Sequence, residues 1–262
     1  MSAPSFQKAL KAVGACAPLI HVMTNTVSQN DCANLLLAIG ARPIMAEAEE
    51  EAAEIAAGCA ALVLNTGIPS RQKLRAMALA GKAANQKGIP VILDPVGIGT
   101  SAFRRQNIFH LLGEVRFSLI RANSAEVCAL AGQNPQFSGV DAASISINEG
   151  TQAALSVCRQ TGAAVLQSGA QDLLADGSQT RVVSGGHSLS SKVTGTGCML
   201  SALAGAFLAA NPGDRLSAAE AASSFWKACA ERAAVRMQRC GAGTGSLRIF
   251  LIDAASQLAG QV

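Results

Sequence analysis

Short runs of apolar residues recur along the chain, each bounded by glycine, proline or polar residues. Both faces of these runs are mostly apolar, which is typical of strands in a parallel sheet covered by helices on its two sides. The runs occupy residues 19–22, 61–65, 90–93, 117–120 and 163–167. A further pair, residues 173–175 and 181–183, is split by Asp176 and Gly177 and predicts a β-hairpin.

Alanine-rich stretches of helical length separate the predicted strands. This alternation predicts an α/β fold, with a doubly wound, mainly parallel central sheet and helices on both faces. The predicted helices are residues 29–39, 47–57, 71–86, 101–112, 125–131, 149–160, 197–210, 215–237 and 247–258. No repeat or linker-like tract divides the chain, so we expect a single domain over residues 1–262.

The composition fits a large core built from small aliphatic residues. Half of the 262 residues are hydrophobic, tyrosine is absent and tryptophan occurs once. Charged residues make up 15% of the chain, below the roughly 25% of an average soluble domain. Either a large buried fraction or a surface covered by another subunit explains this deficit, and the composition leaves both open.

Charge and hydropathy exclude two classes of partner. The net charge is +4, without a cluster of Lys and Arg interleaved with aromatic residues, so we expect no nucleic-acid partner. The longest apolar run, around residues 197–210, is shorter than the roughly 20 residues of a membrane span. The first twenty residues do not resemble a signal peptide. The mild positive charge favours small anionic ligands such as nucleotides.

The eight cysteines do not indicate a metal site. None form a C-x-x-C pair, and only three histidines accompany them, which argues against zinc. Most lie in Ala/Leu-rich segments, so we expect buried thiols in a reducing cytoplasm rather than disulfides.

Polar or glycine residues follow each predicted strand of the parallel sheet. In such sheets, ligands bind beyond the carboxyl ends of the strands. The residues concerned are 24–30, 65–67, 94–97, 121–123 and 168–169. The pattern predicts a ligand site along this rim.

A glycine-rich loop, residues 193–198, leads into an Ala/Leu-rich helix. Glycine lets the backbone approach a ligand closely, and the first turn of a helix binds phosphate through its unpaired N–H groups. Gly195, Thr196 and Gly197 are therefore candidates for holding a phosphoryl group during transfer. For this motif alone, a turn that merely starts a helix is the alternative. Neither a Walker A nor a G-x-G-x-x-G motif is present where it would be expected.

Asp94 and Glu126 are carboxylates that follow two of the predicted strands. Mg²⁺ prefers oxygen ligands and keeps several waters, so the two acids could bind it directly or through water. The alternative for Glu126 is a first-turn residue of a helix that Asn123 caps.

Four segments, taken in order, resemble hydroxyethylthiazole kinases, a branch of the ribokinase-like superfamily. They are residues 21–34, 40–46, 93–104 and 185–198. The resemblance implies a Rossmann-like sheet and a homotrimer with sites at subunit interfaces. It also implies ATP-dependent, Mg²⁺-assisted phosphorylation of the hydroxyl of 4-methyl-5-(2-hydroxyethyl)thiazole, a salvage step of thiamine biosynthesis.

The resemblance also implies roles for individual residues. Asn25, Val27 and Met45 match residues that line the thiazole pocket, Gly67 sits near them, and Gly195 matches a backbone contact to the substrate. Nucleotide-binding positions are matched by Arg121, Asn123 and Ser168, and the magnesium network by Asp94 and Glu126. The catalytic segment is matched by Gly195, Thr196, Gly197 and Cys198.

Cys198 stands where sugar kinases of the superfamily carry an aspartate base. A thiol is mostly protonated at neutral pH, so we expect a positioning residue and weak base, not a covalent nucleophile. The sequence departs from the family at residues 66–69, at Ser188 and at Ala122, where the family often has glycine. A methyl group at Ala122 is expected to crowd the phosphates.

Two kinds of alternative function remain. One is another ribokinase-like enzyme, either a hydroxymethylpyrimidine kinase or an ADP/ATP-dependent NAD(P)H-hydrate dehydratase; residues 25–34 and Met45 favour the thiazole branch. The other is a non-catalytic protein that binds thiazole or nucleotide. The joint presence of Asp94, Glu126 and residues 195–198 argues against lost catalysis.

Overall fold

A continuous sheet runs through the part of the chain that the computed structural model describes, residues 6–133 and 146–260. Its strands are β1 (Leu19–Met23), β2 (Arg42–Ile44), β3 (Ala61–Asn65), β4 (Val91–Asp94), β5 (Leu119–Asn123), β6 (Ala164–Ser168), β7 (Asp172–Ala175) and β8 (Thr180–Val183). Their order across the sheet is β2-β1-β3-β4-β5-β6-β7-β8. Neighbours from β2 to β6 are parallel, and β7 and β8 add the predicted antiparallel hairpin. The domain predicted over residues 1–262 also includes segments outside the described residues.

Helices cover both faces of the sheet. Those of the described residues are α1 (Gln7–Cys16), α2 (Gln29–Ala38), α3 (Glu49–Ala57), α4 (Arg71–Gln86), α5 (Ala102–Glu114), α6 (Ser124–Leu130), α7 (Ile147–Thr161), α8 (Thr196–Ala210), α9 (Arg215–Arg239) and α10 (Thr244–Ala259). The first core contains residues of α1, α2, α8, α9 and α10, and the second contains residues of α3 to α7. The predicted doubly wound α/β fold is confirmed.

The strands explain why the apolar runs lacked a polar face. In β3, Ala61 and Val63 belong to the first core, whereas Leu62 and Leu64 belong to the second. Both sets are excluded from water, so an alternating pattern would place polar groups in a core.

Helix α8 is buried along most of its length. It contacts β1, β3 and β4 on one side and α1, α2 and α9 on the others, and residues 199–208 are buried. A helix enclosed in this way is apolar all round rather than amphipathic. Gly205 allows its close approach, since a Cβ there would lie 2.8 Å from Val63 Cγ2. This packing places the first turn of α8 at the rim formed by the carboxyl ends of the parallel strands.

Some elements differ from the sequence-based expectations. Strand β2 was not predicted, because it is a short edge strand in which Arg42 is exposed and Pro43 interrupts the apolar pattern. Helix α1 was also missed, although Phe6, Leu10 and Val13 form one buried stripe at helical spacing. The strand expected at residues 117–120 begins later and continues to Asn123.

All eight cysteines are free thiols. Five are buried, as expected from their Ala/Leu-rich segments, whereas Cys16 and Cys240 are exposed and Cys198 is intermediate. Within residues 6–133 and 146–260, no helix has the length and apolar character required to cross a bilayer.

The contact at Gly205 generates a stability prediction. Gly205→Ala should lower the free energy of unfolding by about 1–3 kcal/mol, because the added methyl group overpacks the contact between α8 and the sheet. Gly113→Ala is the matched control, since a Cβ at this exposed helical position meets nothing within 4 Å; it should stabilise by about 0.4–1 kcal/mol. Urea unfolding of both variants measures the difference. A Gly205→Ala protein at least as stable as the wild type would refute this packing.

Candidate active site

The carboxyl ends of the parallel strands meet the first turn of α8 at one rim. The chain places β2 on one side of β1 and β3 on the other, so the direction in which strands are added reverses between β1 and β3. Ligands of doubly wound sheets bind at such a switch point. The polar residues that follow β1, β3, β4, β5 and β6 are therefore close to one another.

Asp94 ends β4 and is fully buried. Its Oδ2 accepts hydrogen bonds from Asn65 Nδ2 at 2.7 Å and from Ser201 Oγ at 2.8 Å. Its Oδ1 lies 3.5 Å from Arg121 Nη1 and has no hydrogen-bond partner among the described residues. Burial raises the pKa of Asp94, and the Arg121 charge opposes that rise. The unsatisfied oxygen is a place for a metal-bound water or another donor.

Asn65, at the end of β3, is the residue that sequence reasoning missed. Its Nδ2 donates to Asp94 Oδ2 and, at 3.2 Å, to Cys198 Sγ. Its Oδ1 accepts from Gly67 N at 2.9 Å and from Asn25 Nδ2 at 3.0 Å. Asn65 had been identified as a rim residue, but nothing in its sequence context shows that it joins these four groups.

Cys198 lies in the first turn of α8 with its sulfur facing two amides. Its Sγ accepts from Asn25 Nδ2 at 3.4 Å and from Asn65 Nδ2 at 3.2 Å. Burial raises the pKa of the Cys198 thiol, and the nearby Asp94 charge raises it further. Cys198 is therefore a neutral thiol at neutral pH, positioned as an acceptor.

The loop before α8 leaves the first-turn N–H groups without a side-chain cap. Gly195 is the N-cap residue, and its φ of 83° is in the left-handed region. A Cβ there would lie 2.9 Å from Ser28 Cβ in the loop after β1. The Thr196 hydroxyl donates back to the Val193 carbonyl at 3.3 Å. The free amides and the helix dipole together favour an anion at this point.

Arg121, at the end of β5, lies directly against that helix terminus. A Cβ added at Gly197 would clash with its guanidinium. Its Nη2 donates to Ser168 Oγ, and its buried Nε has no partner among the described residues. A cation with an unused donor beside free amides suits a phosphate group.

A cavity of about 570 Å³ opens beside Arg121 and the start of α8. It brings together four of the predicted site residues, Arg121, Ser168, Thr196 and Gly197. Its other walls come from Gly169 and Ala170 after β6, residues 185–191 in part, and side chains of α9. Its size falls within the range of small-molecule sites.

Asn123 and Glu126 form a capping box at the start of α6. Asn123 Oδ1 accepts from Glu126 N, while Glu126 Oε2 accepts from Asn123 N, both at 2.9 Å. Glu126 Oε1 also accepts from Gly97 N at 2.9 Å. The Asn123 side chain is thus used by the helix, and it does not line the cavity. The alternative role of Glu126, as a first-turn residue of a helix capped by Asn123, is confirmed by these hydrogen bonds.

The two acids fit a magnesium ion held mainly by other ligands. No group of three or more His, Cys, Asp or Glu residues suited to a metal occurs in the described residues. Burial raises the pKa of Glu126, as does the charge of Asp94, so a nearby cation would stabilise both carboxylates. Mg²⁺ binds through few protein ligands when phosphates and waters complete its shell, and the unpartnered Asp94 Oδ1 fits that arrangement.

The predicted thiazole-pocket residues do not line the cavity beside Arg121, and Asn25 among them contacts Cys198. Gly67 packs so closely on Asn25 that a Cβ would lie 2.6 Å from its Nδ2. Val27 N donates to Asn25 Oδ1 at 3.1 Å, and the Val27 side chain is 55% exposed. Met45 follows β2 and packs partly buried against the first core. Hydrogen bonds therefore link Asn25 to Cys198 directly and Gly67 to Cys198 through Asn65.

The expected crowding by Ala122 is wrong. Ala122 is fully buried among the apolar residues of the second core, because it points to the opposite face of β5 from Arg121. Ser188, another departure from the family pattern, lies on the wall of the cavity.

Comparisons with known proteins identify the family and the fold. A model of the hydroxyethylthiazole kinase family matches residues 10–261. The hydroxyethylthiazole kinase of Ruminiclostridium cellulolyticum is 43% identical over 244 residues, which are 92% of this chain and 88% of the relative. A structure of the Pyrococcus horikoshii hydroxyethylthiazole kinase protein is 35% identical with a TM-score of 0.85, covering 96% of this chain and 92% of its own. A ribokinase-like superfamily protein from Enterococcus faecalis, 9% identical with a TM-score of 0.64 over 96% of this chain and 94% of its own, shares the fold alone.

The network around Asn65 predicts a large loss of stability on truncation. Asn65→Ala should cost about 2–4 kcal/mol, because it leaves several buried donors and acceptors without partners. Asn107→Ala makes the same change on the exposed side of α5, where Nδ2 donates to the Phe103 carbonyl; it should shift stability by less than about 0.5 kcal/mol. Denaturant unfolding measures the stability of both variants. If Asn65→Ala is as mild as Asn107→Ala, the network contributes little to stability.

Proposed function

Because the chain belongs to the hydroxyethylthiazole kinase family, we propose that it transfers the γ-phosphate of ATP to the hydroxyl of 4-methyl-5-(2-hydroxyethyl)thiazole. The observation that carries the proposal is the hydrogen-bonded chain from Asn25 through Asn65 to Asp94, with Cys198 and the α8 terminus at its centre. An acceptor side and a nucleotide side meet at that terminus. The product would enter thiamine biosynthesis as a salvage step.

The nucleotide binds in the cavity beside Arg121. Arg121 and Ser168 contact the phosphates, and Asn123 supports the adjoining backbone through its capping box. The free amides of Gly195, Thr196 and Gly197 hold the phosphoryl group as it moves. Stabilisation of spreading negative charge by fixed donors is the main protein contribution to such transfers.

Asp94 and Glu126 would hold Mg²⁺ in the nucleotide complex. Glu126 would act through water, because both of its oxygens already accept backbone hydrogen bonds. The ion supplies neutralisation of the phosphate charge when bound. Asp94 Oδ1 is the oxygen left for it by the protein.

Cys198 orients the acceptor hydroxyl. Its sulfur is held by two amide donors and accepts a hydrogen bond from the acceptor hydroxyl, which directs that hydroxyl towards the phosphoryl group. The small thiolate fraction acts as the weak base that takes the hydroxyl proton. The loose transition state of phosphoryl transfer requires little base strength. Val27, Met45 and Gly67 bind the flat ring, with the Gly195 backbone as a further contact.

We further propose a homotrimer with sites at subunit interfaces, formed by one ribokinase-like domain per chain. Support comes from the apolar side chains of Val27 and Ile68, which are 55% and 53% exposed beside the acceptor pocket. A neighbouring subunit would cover them. The eight free thiols support a cytoplasmic location, where cysteines stay reduced.

A substrate assay tests the function directly. With ATP and Mg²⁺, the purified protein should convert the thiazole alcohol into its phosphate ester and one equivalent of ADP, detected by mass spectrometry, and EDTA should abolish turnover. Hydroxymethylpyrimidine and hydrated NADH serve as matched competitors. A preference for either one identifies the corresponding superfamily relative, and nucleotide binding without any turnover identifies a non-catalytic protein.

Variants of Cys198 test its role. Cys198→Ala should keep measurable turnover, with a loss below about 100-fold, the lower end of the contribution of a general base. Cys198→Asp should remain active, because the two amides can also donate to a carboxylate. The exposed Cys240 provides the control, and Cys240→Ala should match the wild type in steady-state kinetics. Complete inactivity of a correctly folded Cys198→Asp protein would contradict this role.

A further inference from the structure

A buried lysine on α9 lies in the wall of the proposed nucleotide cavity, and the sequence alone does not indicate a role for it. Lys227 is 8% exposed and lines the cavity together with Trp226. Its Nζ lies 3.1 Å from Oδ1 of Asp172, which is 4% exposed at the start of β7. A lysine at a phosphate pocket would ordinarily be taken as a phosphate ligand.

The surroundings of Lys227 do not fit direct phosphate binding. Its Nζ faces the carbonyls of Gly169 at 3.3 Å, Ala170 at 3.2 Å and Gly185 at 3.4 Å, in addition to Asp172. An ammonium group has three N–H donors, so these protein acceptors already exceed its capacity. Its charge is also balanced by the adjacent carboxylate.

Those carbonyls belong to two separate loops of the cavity wall. The β6–β7 turn, residues 169–171, contributes Gly169 and Ala170. The β8 exit loop, residues 184–187, contributes the Gly185 carbonyl, and its residues Gly185, Gly186 and His187 line the cavity. Lys227 bonds to both loops from behind, and at the exposed side Gln171 Nε2 of the turn donates to Ser184 Oγ of the exit loop at 3.0 Å.

The remaining contacts reinforce the same connection. Asp172 Oδ1 accepts from Gly169 N at 3.0 Å, and its Oδ2 accepts from Ser223 Oγ on α9 at 2.7 Å. One turn further along α9, Glu231 Oε1 accepts from Gly186 N at 2.8 Å. Helix α9 therefore holds both loops through charged groups.

The glycines of the β8 exit loop fit this close contact. Gly185 and Gly186 have φ values of 106° and 82°, which side-chain-bearing residues rarely adopt. A Cβ at Gly186 would lie 3.3 Å from Lys227 Cγ. The loop is laid directly on the lysine stem, so the position of Lys227 determines the position of the loop.

We propose that Lys227, neutralised by Asp172, is a positioning residue for the nucleotide: it ties the β6–β7 turn to the β8 exit loop and so shapes one wall of the cavity without contacting phosphate. This inference rests on the proposed function, in that the cavity is taken as the ATP site. It deepens that function by assigning nucleotide affinity to a residue outside the phosphate contacts.

The test uses a charge-neutral double variant. Lys227→Met alone leaves the buried carboxylate of Asp172 without a counter-ion and is expected to destabilise the fold. Lys227→Met combined with Asp172→Asn removes both charges with little change in shape and should recover thermal stability. The three loop carbonyls still lack their donor, so nucleotide binding should stay weak in the double variant.

Trp226 provides a readout that does not require phosphoryl transfer. It is the single tryptophan of the chain and lines the cavity, so MgADP binding can be followed by its fluorescence and checked by calorimetry. The double variant should bind MgADP about 10- to 100-fold more weakly, as expected for lost charge-assisted hydrogen bonds. In turnover, KM for ATP should rise by a similar factor, with kcat and the KM for the thiazole alcohol little changed.

Two controls separate the competing explanations. Arg232→Met removes one positive charge from an exposed position on the same helix and should bind MgADP like the wild type. Asp172→Asn alone should weaken binding; if Lys227 contacted phosphate, loss of its counter-ion would leave affinity unchanged or higher.

The outcomes distinguish this inference from the function on which it rests. Wild-type protein that binds no MgADP would overturn both. Active wild-type protein whose double variant regains stability and binds MgADP normally would overturn the positioning role alone, and so would unchanged or tighter binding by Asp172→Asn.

Discussion

The carboxylate of Asp94 is buried with one oxygen unsatisfied, and the arrangement of the rim follows from that constraint. Asn65 from β3, Ser201 from α8 and Arg121 from β5 all contact it. A buried charge is tolerated only when such partners surround it. The Arg121 cation that stabilises Asp94 also lies against the free amides of α8, so the interactions that hold the rim together leave it suited to an anion.

Helix α8 connects this carboxylate to the rest of the fold. Its close contact with the sheet at Gly205 fixes its axis, and the left-handed Gly195 lets the preceding loop lie against Ser28. Cys198 and the free amides are thereby held by the core rather than by a mobile loop. The Asn25 side of the terminus and the cavity beside Arg121 are therefore positioned by the same buried helix.

Sequence patterns predicted the sheet, its covering helices and the rim, because strands buried on both faces are apolar throughout. The edge strand containing Pro43 carried no such signal. The tertiary contacts of polar residues could not be predicted from the sequence either, because Asn65 and Lys227 bond to residues far away in the chain, such as Cys198 and Gly169. Spacing in the sequence does not encode which side chains meet across the rim. Local pairs were more accessible, as the capping box of α6 shows.

The neutral thiol at Cys198 is consistent with the electrostatics of its neighbours. Asp94 and Glu126 both have raised pKa values because of burial, and a third negative charge beside them would add repulsion. A thiol supplies an acceptor of suitable size without that charge. The amides of Asn25 and Asn65 orient the sulfur, and they would orient a carboxylate equally well. The chemistry at this position therefore depends more on the fixed donors around it than on the basicity of the group that they hold.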